Sequence, residues 1–278
     1  MTNVAIITGG AGGMGLATAR LMALDHHVVL SDVDQAKLDA AVAELGPGAE
    51  GVVCDITDRA AVAELFARAG QAGKVRAVVH TAGVSPQMGS AEFIVRVNAL
   101  GTIHVTDAAY SVAGEGFALV NVASVAGHMT PRLVAPRRAF KLAATDPTAA
   151  VAKMTAAATR GPKGMHPGTA YSISKAFVIW WAPQQAARFG AKGARILSVS
   201  PGSFDTAMGR LEEKSGSGKL LDFAALKRFG RPEEIAAVLA FCASEAPGYL
   251  TGTDVLVDGG TKAGSSLRSM LTLARAAG

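Results

Sequence analysis

The stretch Val4-Ala5-Ile6-Ile7-Thr8-Gly9-Gly10-Ala11-Gly12-Gly13-Met14-Gly15 decides the fold. Its apolar, β-branched start predicts a short strand, its glycines predict a turn, and the pattern from Leu16 to Met22 predicts a helix. Backbone amides at a helix N-terminus bind a pyrophosphate, and glycines keep side chains away from it. The spacing Gly9-x-x-x-Gly13-x-Gly15 differs from the commoner Gly-x-Gly-x-x-Gly. The stretch therefore predicts a dinucleotide site, with a plain flexible turn as the alternative.

Two further strands are predicted to end in acidic residues. The first, His27–Ser31, runs into Asp32, where a carboxylate accepts hydrogen bonds from the adenosine ribose and repels a 2′-phosphate. This placement favours NAD over NADP. The alternatives are a solvated turn acid at Asp32, or Asp34 in its place. The next strand, Glu50–Cys54, ends at Asp55-Ile56, where we expect contact with the adenine edge.

The rest of the chain continues the alternation of strands and helices. More apolar runs predict four strands, over Arg76–Thr81, Phe117–Val122, Ala194–Val199 and Val255–Val257. A helix predicted from about Ala91 to Ala113 carries Asn98 in its middle, where asparagine has low propensity, so the residue suggests a use. The alternation predicts an α/β fold, a Rossmann-type doubly wound sheet of seven parallel strands with helices on both faces.

Composition and charge limit the class of protein. The 278 residues are 50% hydrophobic and 18% charged, which suits one large core. The chain starts without a basic leader, and no apolar run reaches membrane-spanning length, so we expect a soluble cytoplasmic protein with no membrane partner. Cys54 and Cys242 have neither metal-ligand nor disulfide spacing, and we expect no metal site.

The formal charge of +5 is a local feature. Residues 128–168 hold one acid and a group of basic residues: Arg132, Arg137, Arg138, Lys141, Lys153, Arg160 and Lys163. A nucleic-acid-binding protein spreads positive charge over a binding face, so we expect no nucleic-acid partner.

Tyr171 and Lys175 stand four residues apart, which places a phenol and an ammonium on one face of a helix. A neighbouring cation favours a phenolate by Coulomb attraction. Tyr171 is therefore a candidate proton carrier, although so short a pattern more often has no chemical role.

The order of the motifs resembles the short-chain dehydrogenase/reductase family from Thr2 to about Gly260. The matching pieces are Thr8-Gly9-x-x-x-Gly13-x-Gly15, Asp55, Ala82-Gly83, Asn98, Ser124, Tyr171-x-x-x-Lys175, Pro201-Gly202 with Thr206, residues 228–234 (RFGRPEE) and Val257-Asp258-Gly259-Gly260. The resemblance implies a single Rossmann domain over residues 1–260. It also implies NAD(P)-dependent hydride transfer between a CH–OH group and a carbonyl.

The resemblance also implies roles for individual residues. Ser124, Tyr171 and Lys175 would be the catalytic triad and Asn98 its fourth member, holding a water that links Lys175 to solvent. The implied cofactor-binding residues are Gly9, Gly13, Met14, Gly15, Asp32, Asp55, Ile56, Ala82, Gly83, Tyr171, Lys175, Pro201, Gly202, Phe204 and Thr206. The Tyr-x-x-x-Lys interval favours carbonyl and alcohol chemistry, because enoyl reductases of related fold use a longer one.

Three features depart from the family pattern. Thr81 stands where the family has an asparagine that steadies the central strand, so its hydroxyl would substitute only in part. The interval from Gly83 to Asn98 is short, which trims the active-site rim. An insertion over about residues 128–168 separates Ser124 from Tyr171. Its sequence predicts a helix over Thr148–Arg160, with Asp146 as N-cap and Pro147 at the first position, and a second near Arg137–Ala144.

The insertion has two interpretations. It could form a basic wall for an anionic substrate such as a carboxylate or an acyl-coenzyme A, or it could be a solvated helical face. Similar insertions occur in hydroxysteroid dehydrogenase/carbonyl reductase relatives, and the insertion could block the family's helix–helix dimer surface. Residues 203–221 contain Ser215-Gly216-Ser217-Gly218 and predict a mobile lid over the substrate, with a surface loop without function as the alternative. The extension 261–278 has apolar residues at helical spacing (Leu267, Met270, Leu271, Ala274) and could dock on a subunit.

The leading hypothesis is an NAD-dependent oxidoreductase that interconverts a secondary alcohol and a ketone, with hydroxysteroid-like or other bulky apolar substrates ahead of sugars. One alternative is an NAD-binding sensor or scaffold without turnover. Another is an epimerase or dehydratase on the same scaffold, which would release no NADH. By resemblance, the partners are a small-molecule substrate and further copies of the chain in a homodimer or homotetramer.

Overall fold

The computed structural model describes residues 2–131, 135–214 and 217–265. Seven parallel strands form one sheet in the order β3-β2-β1-β4-β5-β6-β7. They are β1 Asn3–Thr8, β2 His27–Asp32, β3 Ala49–Val53, β4 Lys74–His80, β5 Ala118–Val122, β6 Arg195–Pro201 and β7 Asp254–Val257. The predicted doubly wound parallel sheet is confirmed, and each strand end lies within two residues of its expected place.

Helices connect the strands. They are α1 Gly13–Met22, α2 Gln35–Leu45, α3 Arg59–Ala72, α4 Ala91–Val95, α5 Gly101–Val112, α6 Val125–Met129, α7 Arg137–Leu142, α8 Pro147–Ala158, α9 His166–Gly190, α10 Ala207–Lys214, α11 Pro232–Ala243 and α12 Thr261–Gly264. Short 3₁₀ turns cover Pro86–Met88, Lys163–Met165 and Ser217–Asp222. None of these helices is long and apolar enough to cross a membrane.

Both faces of the sheet are covered, which explains why the strands are apolar almost throughout. Ala5 and Ile7 of β1 point into a core shared with α1, α2 and α11. Val4 and Ile6 point to the opposite face, which packs against α3, α5 and α9. The alternation along β1 therefore buries every side chain of the strand after Asn3.

The predicted helix over residues 91–113 is wrong in one respect, because it is not a regular α-helix. A π turn, Arg96–Leu100, separates α4 from α5, and the Gly101 amide donates to the Arg96 carbonyl five residues back. Asn98 lies in this turn, and its side chain bonds both backbone groups of Val84. A π turn places one extra residue in the helix, which suits a polar side chain aimed at a neighbouring loop.

The insertion forms the two helices that the sequence predicts. Asp146 accepts a hydrogen bond from the Ala149 amide at 2.9 Å, and Pro147 occupies the first turn of α8. Phe140 of α7 and Met154 of α8 are buried in one cluster with residues of α4 and α9. The described basic residues on α7 and α8, Arg137, Arg138, Lys141 and Lys153, are exposed, so the helices are apolar inside and positive outside.

Parts of the prediction lie outside the described residues. These are Arg132 of the basic group, Ser215-Gly216 of the expected lid, and the amphipathic segment Leu267–Ala274. Within the described part, Trp181 is buried and donates from Nε1 to Thr106 Oγ1 at 3.2 Å.

Candidate active site

The candidate site lies along the carboxyl ends of the strands, where parallel α/β sheets bind ligands. The glycine turn follows β1, and Asp32 is the last residue of β2. Ala82-Gly83 follows β4, Ser124 stands two residues beyond β5, and Pro201 is the last residue of β6. The carboxyl ends of the strands therefore bring together residues that are far apart in the sequence.

The glycine turn requires its glycines. Gly9 has a φ of +66°, and a Cβ there would lie 2.8 Å from the Ala82 backbone. A Cβ on Gly15 would lie 2.3 Å from the Gly9 carbonyl oxygen. Gly12 precedes α1 and has open space where a side chain would stand, so the approach to the first amides of α1 is unobstructed. This cradle fits the diphosphate of a dinucleotide.

The two acids after β2 have different surroundings. Asp32 Oδ1 accepts hydrogen bonds from the amides of Val33 at 2.8 Å and Asp34 at 3.3 Å, which orients its carboxylate at the strand end. Asp34 caps α2 through the Lys37 amide and pairs with Lys37 Nζ at 2.9 Å. The hydrogen bond from Lys37 holds the pKa of Asp34 below its usual range. Asp34 has a structural role in α2, so Asp32 is the better ribose candidate.

The residues expected near the adenine are placed at the end of β3. Asp55 is exposed, and its Oδ1 accepts from the Thr57 amide at 2.8 Å. Ile56 is 5% exposed and packs tightly against Gly101, where a Cβ would stand 2.4 Å from Ile56 Cδ1.

The loop after β6 reaches the glycine turn. A Cβ built on Gly13 would stand 3.6 Å from Thr206 Cγ2. Thr206 Oγ1 accepts from the Gly209 amide at 3.0 Å, and Phe204, which forms an isolated bridge with Gly230, is buried. Met14, in the first turn of α1, is partly buried against the core.

Tyr171 and Lys175 lie one turn apart on α9. Lys175 Nζ is 5.9 Å from the centre of the Tyr171 ring and donates to the Val122 carbonyl at 2.9 Å. Lys175 is 7% exposed, whereas Tyr171 is partly exposed. The ammonium is thus held between the end of β5 and the phenol.

Asn98 connects the π turn to the loop after β4 and to α9. Its Oδ1 accepts from the Val84 amide at 2.9 Å, and its Nδ2 donates to the Val84 carbonyl at 3.0 Å and to Ser174 Oγ at 3.2 Å. A Cβ on Gly83 would lie 3.1 Å from Asn98 Oδ1 and 3.5 Å from Lys175 Nζ. Gly83 therefore lies against both polar side chains. The water that Asn98 is expected to hold remains a prediction.

Ser124 is the N-cap of α6. Its Oγ accepts from the Ala126 amide at 3.2 Å, and the residue is 8% exposed. A hydroxyl has one proton to donate, and accepting from an amide leaves that proton available for a substrate oxygen.

Thr81 stands where the resemblance implies an asparagine. Its Oγ1 donates to the Thr8 carbonyl at 2.7 Å, joining the ends of β1 and β4. The same oxygen would lie 2.7 Å from a Cβ on Gly15, so Thr81 also packs against the glycine turn.

The sequence reasoning missed His80, which lies fully buried beneath the site. Its Nδ1 is 2.7 Å from Thr8 Oγ1, and its Nε2 is 3.2 Å from Thr102 Oγ1. Thr102 Oγ1 donates to the Asn98 carbonyl, so His80 Nε2 carries the proton and donates to Thr102. Burial, helped by the charge of Lys175, lowers the pKa of His80 to about 3. The only signal in the sequence was a histidine inside an apolar strand.

A parallel sheet with a glycine turn after its first strand defines a dinucleotide-binding protein of the Rossmann class. Comparison with known proteins narrows the class. A family model described as short chain dehydrogenase matches residues 3–159, and one described as Enoyl-(Acyl carrier protein) reductase matches residues 134–262.

Individual relatives agree with the family models. The short-chain dehydrogenase/reductase bsc3 of Alternaria brassicicola is 30% identical over 270 residues, covering 95% of this chain and 97% of that protein. The cis-4-hydroxycyclohexanecarboxylate dehydrogenase of Sinomonas cyclohexanicum is 29% identical, covering 92% of this chain and 95% of that protein. A short chain dehydrogenase of Burkholderia cenocepacia J2315, solved in complex with NADP, has a TM-score of 0.74 at 25% identity, covering 93% of this chain and 97% of that chain.

The chain therefore belongs to the short-chain dehydrogenase/reductase family. It is an NAD(P)-dependent oxidoreductase acting on CH–OH groups. The resemblance expected from the sequence is confirmed.

Proposed function

We propose that the protein is an NAD-dependent dehydrogenase/reductase that interconverts a secondary alcohol and its ketone, with Tyr171 as the proton donor and acceptor. The arrangement of α9 carries this proposal. Lys175 is held by the Val122 carbonyl at the end of β5 and stands beside the Tyr171 ring. A protein that only binds NAD would not need the buried ammonium of Lys175 beside the phenol of Tyr171 at the carboxyl ends of the strands.

Each polar residue of the site has a chemical task in this proposal. The bound nicotinamide would supply or accept the hydride. Tyr171 takes the hydroxyl proton during oxidation and returns it during reduction. Lys175 favours the phenolate and binds the ribose next to the nicotinamide, since an ammonium has three donors. Ser124 donates to the substrate oxygen as negative charge develops on it. Asn98 holds the π turn against Val84 and Ser174, close to Lys175.

The cofactor preference follows from the end of β2. The amides at the start of α1 would hold the diphosphate, and Asp32 would accept hydrogen bonds from the adenosine ribose hydroxyls. A 2′-phosphate would bring further negative charge against this carboxylate, so we propose NAD as the cofactor. Asp55-Ile56 would meet the adenine, while Ala82-Gly83, Pro201-Gly202 and Thr206 would line the nicotinamide half.

The substrate that we propose is a cyclic or otherwise bulky secondary alcohol. Ala135 and Leu142, in or beside α7, are partly buried in the same apolar cluster as Tyr171. The insertion and Tyr171 thus pack against one continuous apolar cluster, which supports an apolar substrate. A relative of similar length is named for the oxidation of a hydroxycyclohexanecarboxylate, which is such an alcohol.

The proposal extends to the whole protein. We propose a single domain over residues 1–260, a cytoplasmic location and assembly as a homo-oligomer. Cys54 and Cys242 are free thiols, as is usual for a protein of a reducing compartment. In the described part of the expected lid, 203–221, α10 and the turn Ser217–Asp222 follow the buried Phe204 and Thr206.

The test is NADH formation from NAD over a panel of hydroxysteroids, cyclic alcohols and hydroxyacyl-coenzyme A esters, with NADP in parallel. We expect NAD to be preferred and Tyr171→Phe to lower kcat by about 10²- to 10⁴-fold with NADH binding retained. Tyr110→Phe is the matched control, because this tyrosine contacts Arg188 and Lys192 away from the site.

Four outcomes would contradict parts of the proposal. Full activity of Tyr171→Phe would remove the proton-transfer role of Tyr171. A preference for NADP would overturn the role given to Asp32. Substrate conversion without net NADH would favour an epimerase or dehydratase, and NADH binding without any turnover would favour a sensor.

A further inference from the structure

Helix α6 is a five-residue helix that Ser124 caps, and it packs directly against α9. A Cβ on Gly127 would lie 2.7 Å from the backbone carbon of Lys175 and 2.8 Å from the Ala176 amide nitrogen. Thr130, just after α6, shares its hydroxyl proton between the Ala126 carbonyl at 3.0 Å and the Ser172 carbonyl at 3.1 Å. One side of α6 is therefore fixed to α9 beside Tyr171 and Lys175.

The other side of α6 is fixed to the outer strands through His128. Its Nε2 is 2.7 Å from Asp254 Oδ2, at the start of β7. Lys262 Nζ lies 3.1 Å from His128 Nδ1, and because an ammonium only donates, Nδ1 accepts and Nε2 donates to the carboxylate. A chain of hydrogen bonds thus runs from Lys262 through His128 to Asp254.

Asp254 is well suited to act as the fixed end of this chain. Its Oδ1 accepts from Ser198 Oγ at 2.5 Å and from Ser200 Oγ at 2.9 Å, both on β6. Its side chain is 7% exposed and that of His128 is 17% exposed. A buried carboxylate is costly unless hydrogen bonds satisfy it, so three donors converging on Asp254 make a rigid anchor.

We propose that the Lys262–His128–Asp254 chain, called here the α6 latch, is a set of positioning residues that holds Ser124 against the Tyr171–Lys175 pair. His128 stands four residues after Ser124, so one helical turn transmits its position to the hydroxyl. Without the latch, α6 keeps its contacts with α9 but loses its tie to β6 and β7. This inference rests on the catalytic role proposed for Ser124.

The test compares His128→Leu, which removes both hydrogen bonds, with His128→Gln, whose amide can still donate to Asp254. Both are made in wild-type protein and in Ser124→Ala. We expect His128→Leu to lower kcat by about 10- to 100-fold, because small displacements of a reacting group have effects of that size. Glutamine should restore most of the rate. The dissociation constant for NADH should stay unchanged, because the glycine turn and Asp32 are untouched.

The Ser124→Ala background separates positioning from general damage. If the latch acts through Ser124, adding His128→Leu to Ser124→Ala should change kcat little. Thr251→Val is the control for the loss of a side-chain hydrogen bond between β6 and the segment before β7. Thr251 Oγ1 bonds the backbone of Ile196, near the start of β6 and away from the site. We expect this variant to keep its kcat.

Equal losses in both backgrounds, or a glutamine variant as slow as the leucine variant, would overturn the proposal. Backbone hydrogen exchange over residues 124–130 gives a second readout that needs no substrate, and His128→Leu should raise it. Unchanged exchange there would also overturn the latch. The wild type could also show no activity on any substrate while His128→Leu still exchanges faster. That result would contradict the proposed function but would support the α6 latch.

Discussion

His80 is a buried, neutral histidine that links β1 to α5 beneath the site. Its neutral ring joins Thr8 of β1 to Thr102 of α5, and Thr102 in turn bonds the Asn98 carbonyl. Burial first and the Lys175 charge second lower its pKa from 6.5 to about 3. The folded protein thus leaves His80 unprotonated at pH values where the unfolded chain protonates it.

This difference predicts a pH dependence of stability. The unfolded state binds one more proton than the folded state between pH 6.5 and about pH 3, so the His80 contribution is present above pH 6.5 and is lost as the pH falls. The slope is about 1.4 kcal/mol per pH unit. We expect His80→Asn to lack this slope in urea unfolding at pH 7, 6, 5 and 4. Parallel stability curves for the two proteins would contradict the assignment.

Site residues that belong to a local sequence motif could be predicted from the sequence. Residues whose hydrogen-bond partners lie far away in the sequence could not. Tyr171 and Lys175 are recognisable because a four-residue spacing on a helix is itself the geometry. His128 and Asp254 lie 126 positions apart and meet only when β6, β7 and α6 pack together. No pattern in the sequence predicts a hydrogen bond between residues so far apart.

At the scale of elements, the insertion was predictable because its helices carry their own signals. Asp146 and Pro147 mark the start of α8, and the structure places the cap where the sequence did. The π turn at Arg96–Leu100 was not predictable, because it depends on the bonds of Asn98 to Val84, a residue of another loop.

The packing of α8 supports a prediction about stability. Met154 is fully buried in the cluster with Phe177 and Trp181 of α9, whereas its neighbour Lys153 is exposed. We expect Met154→Ala to lower the free energy of unfolding by about 2 to 5 kcal/mol, through lost apolar contact and the cavity left behind.

Lys153→Ala is the matched control on the same helix and should change stability by less than about 0.5 kcal/mol. Urea unfolding of the two variants measures both effects. Equal stability of the Met154 variant and the wild type would mean that α8 is only loosely attached to the α4 and α9 surface.

For the whole molecule, the question is which surface can meet a second copy. The insertion packs on α4 and α9, where Phe140 and Met154 are buried. Much of the α4 and α9 surface is therefore already covered within one chain. Strand β7 differs, because it is the last strand of the sheet. Its three apolar residues, Val255, Leu256 and Val257, remain partly exposed, whereas β6 is buried throughout.

We therefore expect self-association along β7. An open apolar edge is a template for pairing, and a lysine on such an edge is a natural means of preventing it. Leu256→Lys should lower the mass measured by light scattering toward the 28.2 kDa of one chain. Leu24→Lys is the control, because Leu24 is 83% exposed between α1 and β2. A wild-type mass of one chain would contradict self-association, and an unchanged mass in Leu256→Lys would move the interface away from β7.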